Sequence, residues 1–135
     1  MKKILILLVI AILAFLAYRY FSKPLDPAKQ IQKAQQSAFG VVRFWLDQAK
    51  QDNAQLMAAV CDTSAKGQSN LMLEAIHEAE RERGNGYKDY FVRSMGGGGG
   101  IKAILSGEDG GIMMSMTIIV REIDDKWWII QLTKD

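Results

Sequence analysis

The sequence predicts an α+β domain carried behind one N-terminal apolar helix. Three observations carry that prediction. Residues 4–18 (ILILLVIAILAFLAY) are uncharged and almost wholly apolar. From Ala28 to Glu82 the apolar residues recur at helical spacing, and after Gly86 the period changes to two. Helices first and strands afterwards is a segregated order. It places about three helices on one face of a curved antiparallel sheet of about four strands. A chain of 135 residues suffices for one small domain beyond the apolar segment.

The apolar segment is preceded by Lys2 and Lys3 and followed by Arg19, Tyr20 and Phe21. A bilayer-spanning helix wants ~20 apolar residues. The segment reaches a workable length when it extends to Phe21, with Arg19 snorkelling and the tyrosines at the interface. Ile4, Leu5, Ile6, Leu7, Leu8, Val9, Ile10, Leu13, Phe15 and Leu16 are the expected lipid contacts.

The competing reading is a cleaved signal peptide. Cleavage needs small residues at the minus-three and minus-one positions. Ala17 would be paired with Phe15, Ala14 with Ile12 and Ser22 with Tyr20, so none fits. The single cysteine, Cys61, lies too far downstream for a lipid attachment site. Residues 1–22 therefore read as a signal anchor, 23–27 as a hinge and 28–135 as the domain. Lys2 and Lys3 favour a cytoplasmic N-terminus. That predicts a single pass through the inner (cytoplasmic) membrane, with the C-terminal domain periplasmic or extracellular and membrane lipid contacting residues 4–21. Arg19 and Lys23 oppose the charge bias. A cleaved form would be secreted.

Four of the 17 basic residues (Lys2, Lys3, Arg19, Lys23) belong to the anchor region, leaving 13 against 15 acidic residues. The pI of 8.7 is thus largely an anchor effect. No basic stripe remains to follow a phosphate backbone, so no nucleic-acid partner is expected.

Within the domain, "SKPLDP" (22–27) holds both prolines. Pro27 suits the first position of a helix, with Asp26 as its N-cap. Residues 28–50 read as one continuous helix with Ile31, Ala34, Ala38, Val41, Val42, Trp45, Leu46 and Ala49 on its apolar stripe. Gly40 inside it costs ~1 kcal/mol relative to alanine. Asp52 or Asn53 caps a second helix, 54–61. Ser69 or Asn70 caps a third, 71–82, with Met72, Ala75, Ile76 and Ala79 inward, and Gly84-Asn85-Gly86 ends it. Strands follow at 87–95 and 101–106. The clearest one starts at Ile112, with Ile112, Met114, Met116, Ile118 and Val120 on one face. The last strand is 126–132. Asp109-Gly110 and Asp124-Asp125 mark the turns.

Two stretches, "VVRFWLDQAKQDNAQLMAAV" (41–60) and "VREIDDKWWIIQL" (120–132), resemble the opening helices and the last hairpin of nuclear transport factor 2-like domains. The resemblance covers residues 28–132. Asp125 departs from it, standing where a glycine often precedes the lysine. The resemblance implies a small membrane-anchored bacterial member with a cone-shaped α+β domain and a cavity between helix and sheet. Members include isomerases, dehydratases, ligand binders and non-catalytic scaffolds, and they often dimerise through the open sheet face. A homodimer or protein partner on that face is accordingly expected.

Candidate chemistry is sparse. His77 is the only histidine, which excludes a multi-histidine metal site. Neither it nor Asp47, Asp62 or Asp89 matches the aspartate or aspartate–histidine arrangement that the resemblance implies for enzymes. Cys61 sits in an apolar run with no base beside it, so it reads as packing. Trp45, Met57, Met72, Met114, Met116 and Ile118 are the candidate lining of a pocket, although methionines fill ordinary cores more often. Trp127 and Trp128 are neighbours on a strand and point to opposite faces, so one of them is a candidate partner contact.

The pentaglycine 96–100 lacks the lysine, hydroxyl and following helix of a phosphate loop, and reads as a slack strand-to-strand connection. No catalytic, cofactor or metal residue is assigned, and no cofactor is expected. The expected function is an extracytoplasmic binding or assembly module without evident catalysis. The alternative is a small-molecule binder or a cavity enzyme of isomerase or dehydratase type.

Overall fold

Helix α1, Lys2–Phe21, is the apolar segment. In the computed structural model the described residues are 2–21, 26–98 and 100–135. Residues 2–20 form a helix that is exposed along its length, long and apolar enough to cross a membrane. Residues 23–25 of the expected hinge, and residue 22 before it, lie outside the described residues. Helix α2, Pro27–Ala34, begins as expected with proline in its first turn. The Asp26 side chain makes no capping bond, but its carbonyl accepts from Lys29 N and Gln30 N.

The single helix expected over 28–50 is in fact two. Helix α2 stops at Ala34, and α3 runs Ala38–Lys50. Ser37 is extended between them (φ −149°, ψ 157°), and its Oγ accepts from Gly40 N at 2.9 Å. That bond satisfies one of the orphan donors at the start of α3 and outcompetes helix continuation. Gly40 is what allows the break to be tight. A Cβ there would sit 2.6 Å from Ser37 Oγ and 2.7 Å from the Ala34 carbonyl oxygen. The apolar period survives across the break, so periodicity alone could not reveal it.

Helix α4, Ala54–Ala59, is capped by Asn53, whose Oδ1 accepts from Leu56 N. It ends before the expected 61 because Val60 and Cys61 leave it to pair with the sheet. Asp62 then caps a 3₁₀ turn, Thr63–Ala65, that leads into α5, Lys66–Arg83. Helix α5 thus starts upstream of the expected residue 71. Ser69 is no cap but a wholly buried residue inside it. Gly84, left-handed at φ 62°, closes the C-terminus.

The sheet is a four-strand antiparallel meander in the order β1 (Tyr87–Ser94), β2 (Gly100–Gly107), β3 (Ile112–Ile123), β4 (Lys126–Lys134). Met114, Met116, Ile118 and Val120 are buried on the helix side. Ile112 departs from the expected alternation and is exposed. The register shifts between Leu105 and Ser106, which leaves Met113 as the extra residue and turns Ile112 outward. The β3–β4 turn has positive φ at both Asp124 (52°) and Asp125 (66°), the pattern of a two-residue type I′ hairpin.

Helices α3, α4 and α5 cover one face of this sheet. Trp45, Leu46, Met57 and Ile76 meet Leu105, Met116, Ile118 and Ile129, all essentially without exposure. Each such side chain contributes roughly 1.5–3 kcal/mol on burial.

Candidate functional site

The cleft between helices and sheet is filled by the residues expected to line it. Trp45, Met57, Met116 and Ile118 have no exposed surface, and Met72 and Met114 retain about a twentieth. The Trp45 Nε1 donates to Ser69 Oγ at 2.9 Å within this packing. These six side chains therefore pack as core. The resemblance implied a cavity there because it fixes the helix–sheet arrangement, not the volume of the side chains between them.

The other residues singled out in the sequence are dispersed. His77 Nε2 lies 2.8 Å from Asp52 Oδ1, a contact between α5 and the turn after α3. Both partners are solvent-exposed and line none of the hollows described below. Asp52 itself is left-handed at φ 58°. Cys61 is buried, with its Sγ donating to Met57 O. Burial pushes its thiol up to about 12, against the opposing pull of Ser69 and Lys66. A thiol so raised supplies almost no thiolate at neutral pH. Among the described residues, no three histidine, cysteine or acidic side chains are grouped to hold a metal.

The concave surfaces lie outside the core. The larger is a groove of about 940 Å³ between α2 and α3, walled by Lys33, Arg43, Phe44, Asp47, Gln48 and Lys50 among others. Gln48 is buried and its Oε1 has no hydrogen-bond partner among the described residues, as is the case for Nε2 of buried Gln35. A hollow of about 450 Å³ opens where Cys61, Asp62, Thr63 and Lys66 meet the β3–β4 turn and Trp128. The two tryptophans diverge. Trp127 packs against the core, and its N–H donates to Gln35 O, while Trp128 faces the hollow.

Helix α3 also presents Arg43, Asp47 and Lys50 toward β1, where they and Asp89, Tyr90, Phe91 and Val92 shape a shallow surface. The Tyr90 hydroxyl donates to Asp47 Oδ1 at 3.0 Å, and Lys50 Nζ lies 3.7 Å from the same oxygen and 5.2 Å from the Tyr90 ring centre. Burial, and then the hydrogen bond to Asp47, push the Tyr90 phenol up to about 12. The Tyr87 hydroxyl donates to Leu46 O, and burial raises its phenol above the usual tyrosine range. Sequence reasoning missed this cluster because Asp47 and Tyr90 are 43 positions apart. The legible trace was the charged i, i+4, i+7 row on α3.

The pentaglycine connects β1 to β2, as its flanks predicted. Gly96, Gly97 and Gly98 have φ of 76°, 57° and 70°, and apart from their chain neighbours nothing among the described residues lies within 4 Å of where their Cβ atoms would be. Gly99 lies outside the described residues. No protein-family model, curated protein or solved structure matches the chain.

Proposed function

We propose that this chain is a single-pass, membrane-anchored binding or assembly module. Its α+β domain is of the nuclear transport factor 2-like type and faces the periplasm or the cell exterior. One observation carries the reading. An apolar helix exposed along residues 2–20 accompanies a domain whose own interior is filled. Exposed apolar surface on that scale calls for lipid or a partner. The cavity-enzyme reading loses its support where Trp45, Met116 and Ile118 occupy the cleft. A small-molecule binder retains one supporting observation outside the cleft, the unpartnered Gln48 Oε1 on the α2–α3 groove.

The test is topology. The full chain, produced in a Gram-negative bacterium, is expected to stay in the membrane fraction after alkaline carbonate washing. Its domain should be digested when protease is added to spheroplasts. Release by carbonate, or a domain protected until the membrane is broken, would refute the proposal. Mass spectrometry of the mature N-terminus separates anchor from cleaved signal.

A further inference from the structure

The two edges of the sheet are finished differently. The outer edge of β4 is covered by this chain. Trp127 N donates to Gln35 O at 2.9 Å, Ile129 N to Val60 O at 3.0 Å, and Leu132 N to Gln68 Oε1 at 2.8 Å, while Ile129 O accepts from Asp62 N. Cys61 completes a parallel bridge with Ile129. At the other edge, β1 pairs with β2 alone among the described residues. Asp89 O accepts from Ser106 Oγ, and Met95 N donates to Gly100 O, so the odd-numbered residues turn their backbones to β2. Tyr90, Val92 and Ser94 turn theirs outward. Among the described residues the Tyr90 N–H is covered only by the side chain next to it, Asp89 Oδ1, at 2.8 Å. An open edge is a template for another strand.

We infer that β1 pairs with β1 of a second copy of this chain, antiparallel, about a two-fold axis at Phe91. The choice of partner and register follows from charge. Asp89, Phe91 and Arg93 share the sheet face away from the helices, in register with Ser106, Ile104 and Lys102. Along one strand Asp89 and Arg93 are roughly 13 Å apart and cannot meet. Arg93 faces Lys102 directly across on β2, and Lys102 already pairs with Asp135 at 3.7 Å, so Arg93 gains no acidic partner from that side. Centring the axis on Phe91 places Asp89 of each chain opposite Arg93 of the other. Centring it on Tyr90 or Val92 sets Phe91 opposite Asp89 or Arg93 and loses both ion pairs.

The backbone agrees with the same register. Tyr90 and Val92 of opposite chains become hydrogen-bonded pairs, adding about four N–H···O bonds. Asp89 exchanges the Tyr90 N–H for the guanidinium, and the partner carbonyl takes the N–H over. Phe91, 63% exposed, meets its own copy in the non-hydrogen-bonded position, where side chains approach most closely. The result is one continuous sheet across two domains, with β4 at both ends already covered. This deepens the assembly reading by naming its partner and surface.

The experiment uses the full chain in phosphatidylcholine vesicles, with single cysteines introduced by substitution and mild oxidation as the probe. Cys61 is buried and serves as the background. Phe91→Cys should form a disulfide-linked dimer, and Asp89→Cys should link to Arg93→Cys in mixed samples. Thr117→Cys, in the middle of the outer sheet face, should not. On the Phe91→Cys background, Asp89→Arg or Arg93→Asp alone should lower the crosslinked fraction at least tenfold, and the two together should restore it. Crosslinking at Thr117 equal to that at Phe91 would overturn the inference in favour of a face-to-face dimer. Single reversals without effect, or no rescue by the pair, would overturn it as well. Flotation of the same vesicles reads membrane anchoring separately, so failure of the edge contact and failure of the anchor give different results.

Discussion

Removing the hydrogen bond between Trp45 and Ser69 tests whether the helix–sheet cleft is closed. Both residues are wholly buried, and the bond spans α3 and α5 at 2.9 Å. Ser69→Ala leaves the indole N–H without an acceptor in a dry environment, which costs about 1–3 kcal/mol. Trp45→Phe removes the donor and also opens a void, so its cost should be larger, about 2–4 kcal/mol. In the double variant neither polar group is stranded. Its loss should fall short of the sum by about 1 kcal/mol or more, as contacting residues do. Urea unfolding of the full chain in a mild non-ionic detergent, followed by far-ultraviolet circular dichroism, gives the three differences, with the slopes checked for constancy. Additivity within about 0.3 kcal/mol, together with a neutral Ser69→Ala, would refute the reasoning. It would mean that water reaches the indole, that the cleft is open, and that the cavity-enzyme reading returns.

Five further outcomes are expected. Gly40→Ala should destabilise the domain in the same unfolding assay, although helix propensity alone predicts a gain of ~1 kcal/mol. Its Cβ would be driven to 2.7 Å from the Ala34 carbonyl oxygen, and stabilisation would disprove the tight α2–α3 junction. Asp125→Gly should raise stability by about 1 kcal/mol, since Asp125 holds φ 66° in a turn that favours glycine there; an unchanged midpoint would count against that turn. Cys61 should resist a thiol reagent at pH 8 until the protein is unfolded. The Cys61 thiol, normally near 9, and the Tyr90 phenol, normally near 10, are both raised to about 12 in the fold. The unfolded chain therefore loses these protons first. Stability should hold below pH 9 and fall as pH rises from about 9 to 12, with a shallower fall in Cys61→Ala. Alanine at Gly96, Gly97 and Gly98 together should cost about 1–2 kcal/mol per position from left-handed backbone strain, visible as a lower unfolding midpoint.

The parts of the fold legible in the sequence were those set by local alternation and local turns. The β3 run declared its buried face through Met114, Met116, Ile118 and Val120, and Asp124-Asp125 declared its hairpin. What stayed hidden were decisions made by competition between distant or equivalent groups. Ser37 carries the same cap chemistry whether its hydroxyl is used or not, so the division of α2 from α3 left no mark on the apolar period. Ser69 reads as a helix start until Trp45, 24 positions away, is seen to need its oxygen. Whether six apolar side chains line a pocket or fill it is a question of volume, which pattern cannot answer. The Asp47–Tyr90 pair and the cover on β4 likewise depend on contacts between elements far apart in the chain.

The strength of the edge contact follows from where the chain is held. Each new backbone hydrogen bond contributes about 0.5–1.5 kcal/mol net, and each exposed Asp89–Arg93 pair about 0–1 kcal/mol. Free association in solution costs an estimated 4–15 kcal/mol in lost translation and rotation. About four such bonds and two such pairs do not clear that cost by a wide margin. With α1 in a bilayer, both copies are already confined to a plane and restricted in tilt, so much of that cost is met before the strands touch. The dimer should therefore depend on density in the membrane. In vesicles, the crosslinked fraction of Phe91→Cys should rise with the protein-to-lipid ratio, and in detergent it should fall on dilution. A fraction that ignores both would mean that the contact is either absent or far stronger than an edge of this length can provide.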